Sequence, residues 1–302
     1  MQEREIDLMA TTTSTSMSAS SIEQSPASAS QSVAKKKRRG GIFRLREDIP
    51  QWLYIAIACL SFVLPFAAWC YFSYSGREPA FILPTPTAVV QAFQRLVHDG
   101  ILWPDTKISC FRISMGFLLS AVLAIPLGIL MGAYKGIEAA HEPFVGFVRY
   151  VPVPALIPLI MVIAGIGEEA KILLIFIGTY FQMVLIVADI TRQVPKDLLN
   201  AARTLGASRL QLLFNVLIPA TLPGMMDTCR TMIGWAWTYL VVAEVVATDS
   251  GLGYNIMKAQ RFMRTDEIFV GILVLGLLGL GTDMLFKILQ PRLLPWAEAH
   301  KA

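Results

Sequence analysis

Six apolar runs, at about 52–74, 109–133, 144–166, 172–190, 222–247 and 268–288, constrain this chain more than anything else in it. Hydrocarbon offers no hydrogen bonds to exposed backbone, so a chain that crosses it must do so as helices or as a closed barrel. At about 1.5 Å of rise per residue, helices of 20 to 24 residues reach across a core of roughly 30 Å. The expected fold class is therefore an all-α membrane protein with six transmembrane helices. Composition agrees: 55% of the 302 residues are hydrophobic and only 16% are charged, against about a quarter charged in water-soluble domains.

The spans divide the chain into a tail over 1–48, a membrane domain over 49–295 and a short end over 296–302. From Ala10 to Ser32 the tail is mostly Ser, Thr, Ala and Gln, too poor in apolar surface to offset chain entropy, and reads as disordered. Lys35, Lys36, Lys37, Arg38 and Arg39 follow just before the first span. Such a run suits anionic lipid beside a membrane helix better than nucleic acid, and no nucleic-acid partner is expected. The tail and first span are too long for a cleaved signal peptide, and no small-x-small site follows. With both termini in the cytoplasm, that side holds 17 of the 26 basic residues, the asymmetry expected of a cytoplasmic face.

Reactive constellations are missing from the sequence. Cys59, Cys70, Cys110 and Cys229 fall in or beside apolar spans, where a thiol acts as a small hydrophobe, and His98, His141 and His300 are scattered. No metal spacing, phosphate-cradling glycine loop or nucleophile elbow occurs. The chain is not expected to be an enzyme or to bind a cofactor, and any energy for its work must come from a partner.

One polar, helix-prone stretch, 195–219, interrupts the apolar runs. Asp197 after Pro195 is placed to cap a first short helix, and Ser208 a second that runs toward Pro219. Leu198, Leu199, Ala202 and Leu205 recur at helical spacing, Ala201 and Ala202 permit close approach, and Gly206 permits a sharp turn. Ala201, Ala202, Gly206, Val216, Ile218 and Pro219 together resemble the EAA signature of bacterial ABC importer permeases, with Asn200 where the family has glutamate. In that family the segment, here including Ala207, is the coupling helix that an ATPase subunit grips.

The third span adds Pro152, Pro154, Ala155, Pro158, Leu159, Gly165, Gly167 and Lys171, and the chain carries Leu83, Pro84, Pro86, Ser109, Arg112, Gly116, Ala243, Glu244 and a Ser250–Tyr254 run of SGLGY. This pattern is similar to the nitrate, sulfonate, taurine and bicarbonate branch of those permeases, and covers nearly everything after residue 50. The resemblance implies the type I importer fold in a bacterial inner membrane and a second permease copy completing the pathway. It also implies ABC ATPase subunits carrying ATP and Mg, a periplasmic or lipid-anchored binding protein, and a small anion as cargo moved by alternating access. An ion-gradient-driven secondary transporter or channel is the alternative. It would show a repeat between halves and central coupling charges, and neither is evident.

Three prolines in one span bend a helix and suit a path lined with water, or a packing kink. Arg112 and Glu244 each lie about three residues inside the outer end of a span. Two readings stand: they pair with each other, or Arg112 faces the pore and meets an anion. Arg230 has Asp227 three residues away as an intrahelical partner and Asp189 as a rival. Trp235 and Tyr239 share a face and serve either packing or a gate, with Trp237 pointing elsewhere. Lys258, Arg261 and Arg264, spaced by three on the outer side, suit an acidic binding protein, solvent or an anion-attracting vestibule.

Overall fold

A computed structural model describes residues 49–77, 79, 81–246 and 249–300, the side chains of 298–300 apart. The expected tail over 1–48, with its basic run, lies outside the described residues. All regular elements among the described residues are helical. The chain divides at Cys59/Leu60 into two units. That boundary falls inside the first helix, α1 (Gln51–Tyr74), and the packing below is that of the second unit.

Among the described residues five helical stretches are long and apolar enough to span a membrane: α1, α3 (Leu102–Ala133), α6 (Glu168–Arg192), the continuous run Arg209–Val246 and α11 (Thr265–Leu293). The third expected span differs. It is divided between α4 (Lys135–Val148) and a segment over Val153–Ala164 that ends in α5 (Ile157–Ala164), bent from one another by 88°. The prolines explain the break. Pro154 and Pro158 stand in the first turns of the short helices that follow it, where a missing N–H removes no helical bond, so they start new helices and do not kink one rod.

α3 and α6 share the most extensive helix–helix contact among the described residues. Gly116, Ser120, Ala124, Gly128 and Gly132 recur every fourth residue on α3, which keeps them on one face. A methyl group at Gly116 would sit 2.8 Å from the side chain of Ile175, and one at Gly128 only 2.7 Å from the Val184 carbonyl oxygen and the Val187 side chain. The backbones therefore approach closely, the way helices associate where lipid gives no hydrophobic drive. Around this seam Met131, Met183, Val184, Val187, Ala188, Met225 and Met232 form the buried core. Gly128→Val is expected to lower stability by about 1–3 kcal/mol through overpacking. A reduced melting temperature in detergent would show it, and an unchanged one would contradict the seam.

The remaining helices are pinned to this core by polar contacts. α2 (Pro86–His98) begins with the Thr85 hydroxyl accepting the Ala88 N–H at 3.3 Å and Pro86 in its first turn. Its Arg95 reaches Asp266 of α11 at 2.5 Å. Trp69 donates to the Pro84 carbonyl at 3.0 Å and stacks on Phe269 with ring centroids 5.3 Å apart. α10 (Leu252–Arg261) carries Lys258 and Arg261. Arg264 lies beyond its end and pairs with Glu267 at 3.2 Å, so the three bases do not share one helical face.

α9 (Ile218–Val246) and α11 are joined by Arg230, which donates to Asp283. This corrects both sequence expectations for Arg230. Asp227 accepts instead from Gln290 at 3.2 Å, and Asp189 is taken by Arg192 at 2.5 Å. The reason is reach: a carboxylate across the interface lets the guanidinium fork close on it, whereas Asp227 on the same helix points toward Gln290.

Candidate functional site

The polar stretch folds as a shelf at one end of the bundle. α7 (Lys196–Thr204) follows directly on α6 and has no buried residue. Its N-cap position is held by Pro195 without a side-chain bond. Asp197 thus sits within the first turn, where it complements the helix dipole, and does not cap it as the sequence suggested. Gly206, at φ +86°, reverses the chain. Ser208 then caps α8 (Arg209–Gln211) in a reciprocal box, its hydroxyl accepting the Gln211 N–H at 3.4 Å while the Gln211 side chain accepts the Ser208 N–H at 2.8 Å.

The second helix does not stop at Pro219. A wide π turn over Leu212–Leu217 carries α8 into α9, making room for a proline whose ring would clash with the carbonyl four residues earlier in a regular helix. Asn200 and Ala201 are exposed, and Ala202 and Ala207 half-buried. Leu205 at the turn is 89% exposed, with Leu198, Leu210 and Phe214 also in the open. Behind the shelf, a cavity of about 740 Å³ is lined by Lys135, Arg192, Lys196, Arg203 and Arg209 above an apolar floor of Leu199, Leu212, Leu213 and Leu217.

A second cavity, of about 550 Å³, opens where α4 breaks. Pro152 and Pro154 form one wall, Gly178 and Gln182 of α6 another, and Thr231, Trp235 and Tyr239 of α9 a third. Four of the residues marked as pathway candidates thus come together; Pro158, which opens α5, is not among the lining residues. Trp235 and Tyr239 lie with centroids 6.4 Å apart, and a methyl at Gly178 would meet the Tyr239 ring at 2.6 Å, so that ring packs closely against α6. Trp237 faces the other way, buried and donating to Thr282 at 3.2 Å.

At the end of the bundle opposite the shelf, Arg112 is fully buried inside a cluster of acceptors. Its Nε and Nη2 grip both oxygens of Glu168 at 2.5 and 2.6 Å, and Nη1 meets Glu244 at 2.7 Å. Nη1 and Nη2 also reach the Ser250 carbonyl at 2.9 Å and the Ser250 hydroxyl at 3.0 Å. All five guanidinium donors are engaged, which favours structural pairing over a pore-facing role. Glu244, equally buried, accepts in addition from the Ser109 hydroxyl at 2.7 Å and the Gly253 N–H at 2.8 Å. Asp105 holds the Gly251 N–H at 2.6 Å and the Asn255 amide, and Lys171 donates to Glu168 at 2.8 Å. One ion cluster ties α3, α6, α9 and the loop before α10 together.

Glu168, Asp105 and Arg149 were not singled out from the sequence as site residues. Asp105, Ser109 and Arg112 lie at spacings of four and three, which places them on one face of α3, a signal that was available. Nothing local marks Glu168 as the partner of a residue 56 positions away, and nothing local marks Arg149 as part of a site.

Residues 124–295 match the family described as binding-protein-dependent transport system inner membrane component. A probable ABC transporter permease protein of Brucella abortus (strain 2308) is 36% identical over 81% of this chain and 96% of its own length. The protein named SsuC, for aliphatic sulfonates transport, of Bacillus subtilis (strain 168) is 36% identical over 78% of this chain and 85% of its own. The taurine transport system permease protein TauC of Escherichia coli (strain K12) is 32% identical over 72% and 81%.

Among solved structures, an inward-facing MetNI methionine ABC transporter chain covers 60% of this chain and 92% of its own, with 19% identity and a TM-score of 0.51. A chain of a bacterial alginate ABC transporter in complex with an alginate pentasaccharide-bound periplasmic protein covers 80% and 95%, with 13% identity and a TM-score of 0.54. At these identities the likeness is one of fold, that of the type I ABC importer permeases. The chain belongs to the binding-protein-dependent transport system inner membrane component family, the membrane-spanning permeases of ABC importers.

Proposed function

We propose that this permease forms, with a second copy of itself, the translocation pathway of an ATP-driven importer for a small anion of the sulfonate and taurine class. In this reading the shelf faces the cytoplasm, as do both termini, in a bacterial inner membrane. An ABC ATPase subunit, holding ATP and Mg, grips the shelf, and a separate binding protein delivers substrate at the Arg112 end. ATP-driven closure of two ATPases draws two shelves together and tips the pathway outward; hydrolysis resets it.

The observation that carries the reading is the shelf itself. It leaves Leu198, Leu205, Leu210 and Phe214 exposed along one short stretch of chain, and large apolar side chains exposed together suit a docking site. Sulfonates are favoured over nitrate and bicarbonate because relatives described above are named for aliphatic sulfonates and taurine. The test is reconstitution in vesicles with the co-encoded ATPase and binding protein. Uptake of labelled taurine or an alkanesulfonate is expected only with ATP and binding protein present. Flux by this chain alone without ATP would overturn the reading.

A further inference from the structure

We infer that Arg149 is the anion-binding residue of the central cavity, holding the sulfonate group of a substrate in transit, an inference that rests on the function proposed above. Arg149 caps the broken end of α4 and lines the cavity beside Pro152 and Gln182. The other walls come from two membrane-spanning helices. Gly178 and Gln182 lie near the middle of the 25-residue α6, and Thr231 and Trp235 near the middle of the 29-residue α9, with Tyr239 closer to its C-terminal end. Arg149 itself is exposed, and a cation beside two membrane helices is costly unless it faces a wet cavity or a partner.

The other arginines along these helices have carboxylate partners. Arg112 has Glu168 and Glu244, Arg192 has Glu138, Glu142 and Asp189, and Arg230 has Asp283. Among the described residues no carboxylate pairs with Arg149. Its guanidinium donates to the Tyr150 hydroxyl at 2.7 Å and lies 4.7 Å from the centre of that ring. The phenol is neutral, so the positive charge at the cavity is left uncompensated.

The chemistry of the walls supplies the rest. A guanidinium fork binds oxyanions through two donors at once. Gln182 and Thr231 offer neutral hydrogen bonds that can orient a charged group without neutralising it, and the rings of Trp235 and Tyr239 suit a short carbon chain. The volume, about 550 Å³, falls in the range of small-molecule sites. Gly178, Gln182, Thr231 and Trp235 lie away from the ends of their helices, where lipid headgroups gather, which favours a free anion over a lipid phosphate.

The experiment uses the full complex in vesicles with its binding protein and ATP, and labelled taurine as the probe. Failure of the wild-type complex to take up a sulfonate would strike the proposed function itself. Given wild-type uptake, Arg149→Gln is expected to slow transport by about ten- to a hundredfold, the loss of one charged hydrogen-bonding partner, with Arg149→Lys intermediate and assembly with the ATPase preserved. Transport by Arg149→Gln at the wild-type rate would overturn the inference. A second measurement does not depend on that variant folding. With Arg149 intact, a Thr231→Cys thiol is expected to react faster with an ethylsulfonate methanethiosulfonate than with its ethylammonium counterpart, each rate taken relative to a free thiol in water. A preference for the cationic reagent would equally overturn it.

Discussion

Glu244→Ala is expected to produce the largest loss of stability of any single substitution outside the α3–α6 seam. Removing this carboxylate leaves Arg112 buried with one counterion in place of two, and strips Ser109 and the Gly253 N–H of their acceptor. Breaking a buried pair by deleting one partner costs about 3–5 kcal/mol, because the remaining charge stays desolvated. Glu244→Gln keeps the shape and still accepts from Ser109, so its loss is expected to be smaller.

Arg112→Lys preserves charge but replaces a five-donor fork by three donors on a flexible stem. It cannot hold Glu168, Glu244 and Ser250 together, and is expected to behave as a destabilising change despite its conservative chemistry. Thermal unfolding in detergent reads all three. A double replacement of Arg112 and Glu244 by methionine is expected to fall short of the sum of the single losses, since groups in one network couple. An unchanged melting temperature for Glu244→Ala would show that the cluster is dispensable.

That cluster also shows how far the sequence reaches. Arg112 and Glu244 stand out because charge inside an apolar run demands a partner, and depth arithmetic brings them to the same level. Glu168 escapes the same logic because it sits at the very start of α6, where a carboxylate needs no explanation: it complements the helix dipole there and is part-exposed to solvent. Arg230 shows the opposite difficulty. Its neighbour at i−3 offers an obvious bond, and only the tertiary packing of α9 on α11 brings Asp283 into competition.

The six-span pattern was legible because apolar length is a one-dimensional property. The 88° break between α4 and α5 was not, because the same prolines are compatible with a kink, a restart or a re-entrant segment, and the choice is made by what packs around them. Arg149 gains its place from that break: it stands at the end of α4 where the chain turns, and so lines the cavity with Gln182 and Trp235. The small-residue seam of α3 was readable in principle, at a strict spacing of four, but needs a facing helix to give it meaning.

Gly206→Glu is expected to abolish ATPase binding while leaving the permease folded. The position separates the two effects cleanly. At φ +86° any L-residue is strained, by about 1–2 kcal/mol, yet a methyl added there would meet nothing within 4 Å, so the cost falls on the turn between α7 and α8 and not on the core. Gly206→Asn, which tolerates this conformation, is expected to bind nearly as well as glycine. Leu205→Ala provides the companion measurement. Its side chain is 89% exposed, so the substitution is expected to change stability by no more than about 0.5 kcal/mol. A buried apolar anchor at an interface contributes about 1–3 kcal/mol, and the same substitution is therefore expected to weaken ATPase association by roughly five- to a hundredfold. Titrating the ATPase onto the purified permease, beside its melting temperature, tests both. A structural turn with no partner would show the reverse pattern: stability lost with the shelf, and association untouched in whatever protein still folds. Wild-type association by both Gly206→Glu and Leu205→Ala would remove the shelf as the place where ATP hydrolysis is converted into movement of the pathway.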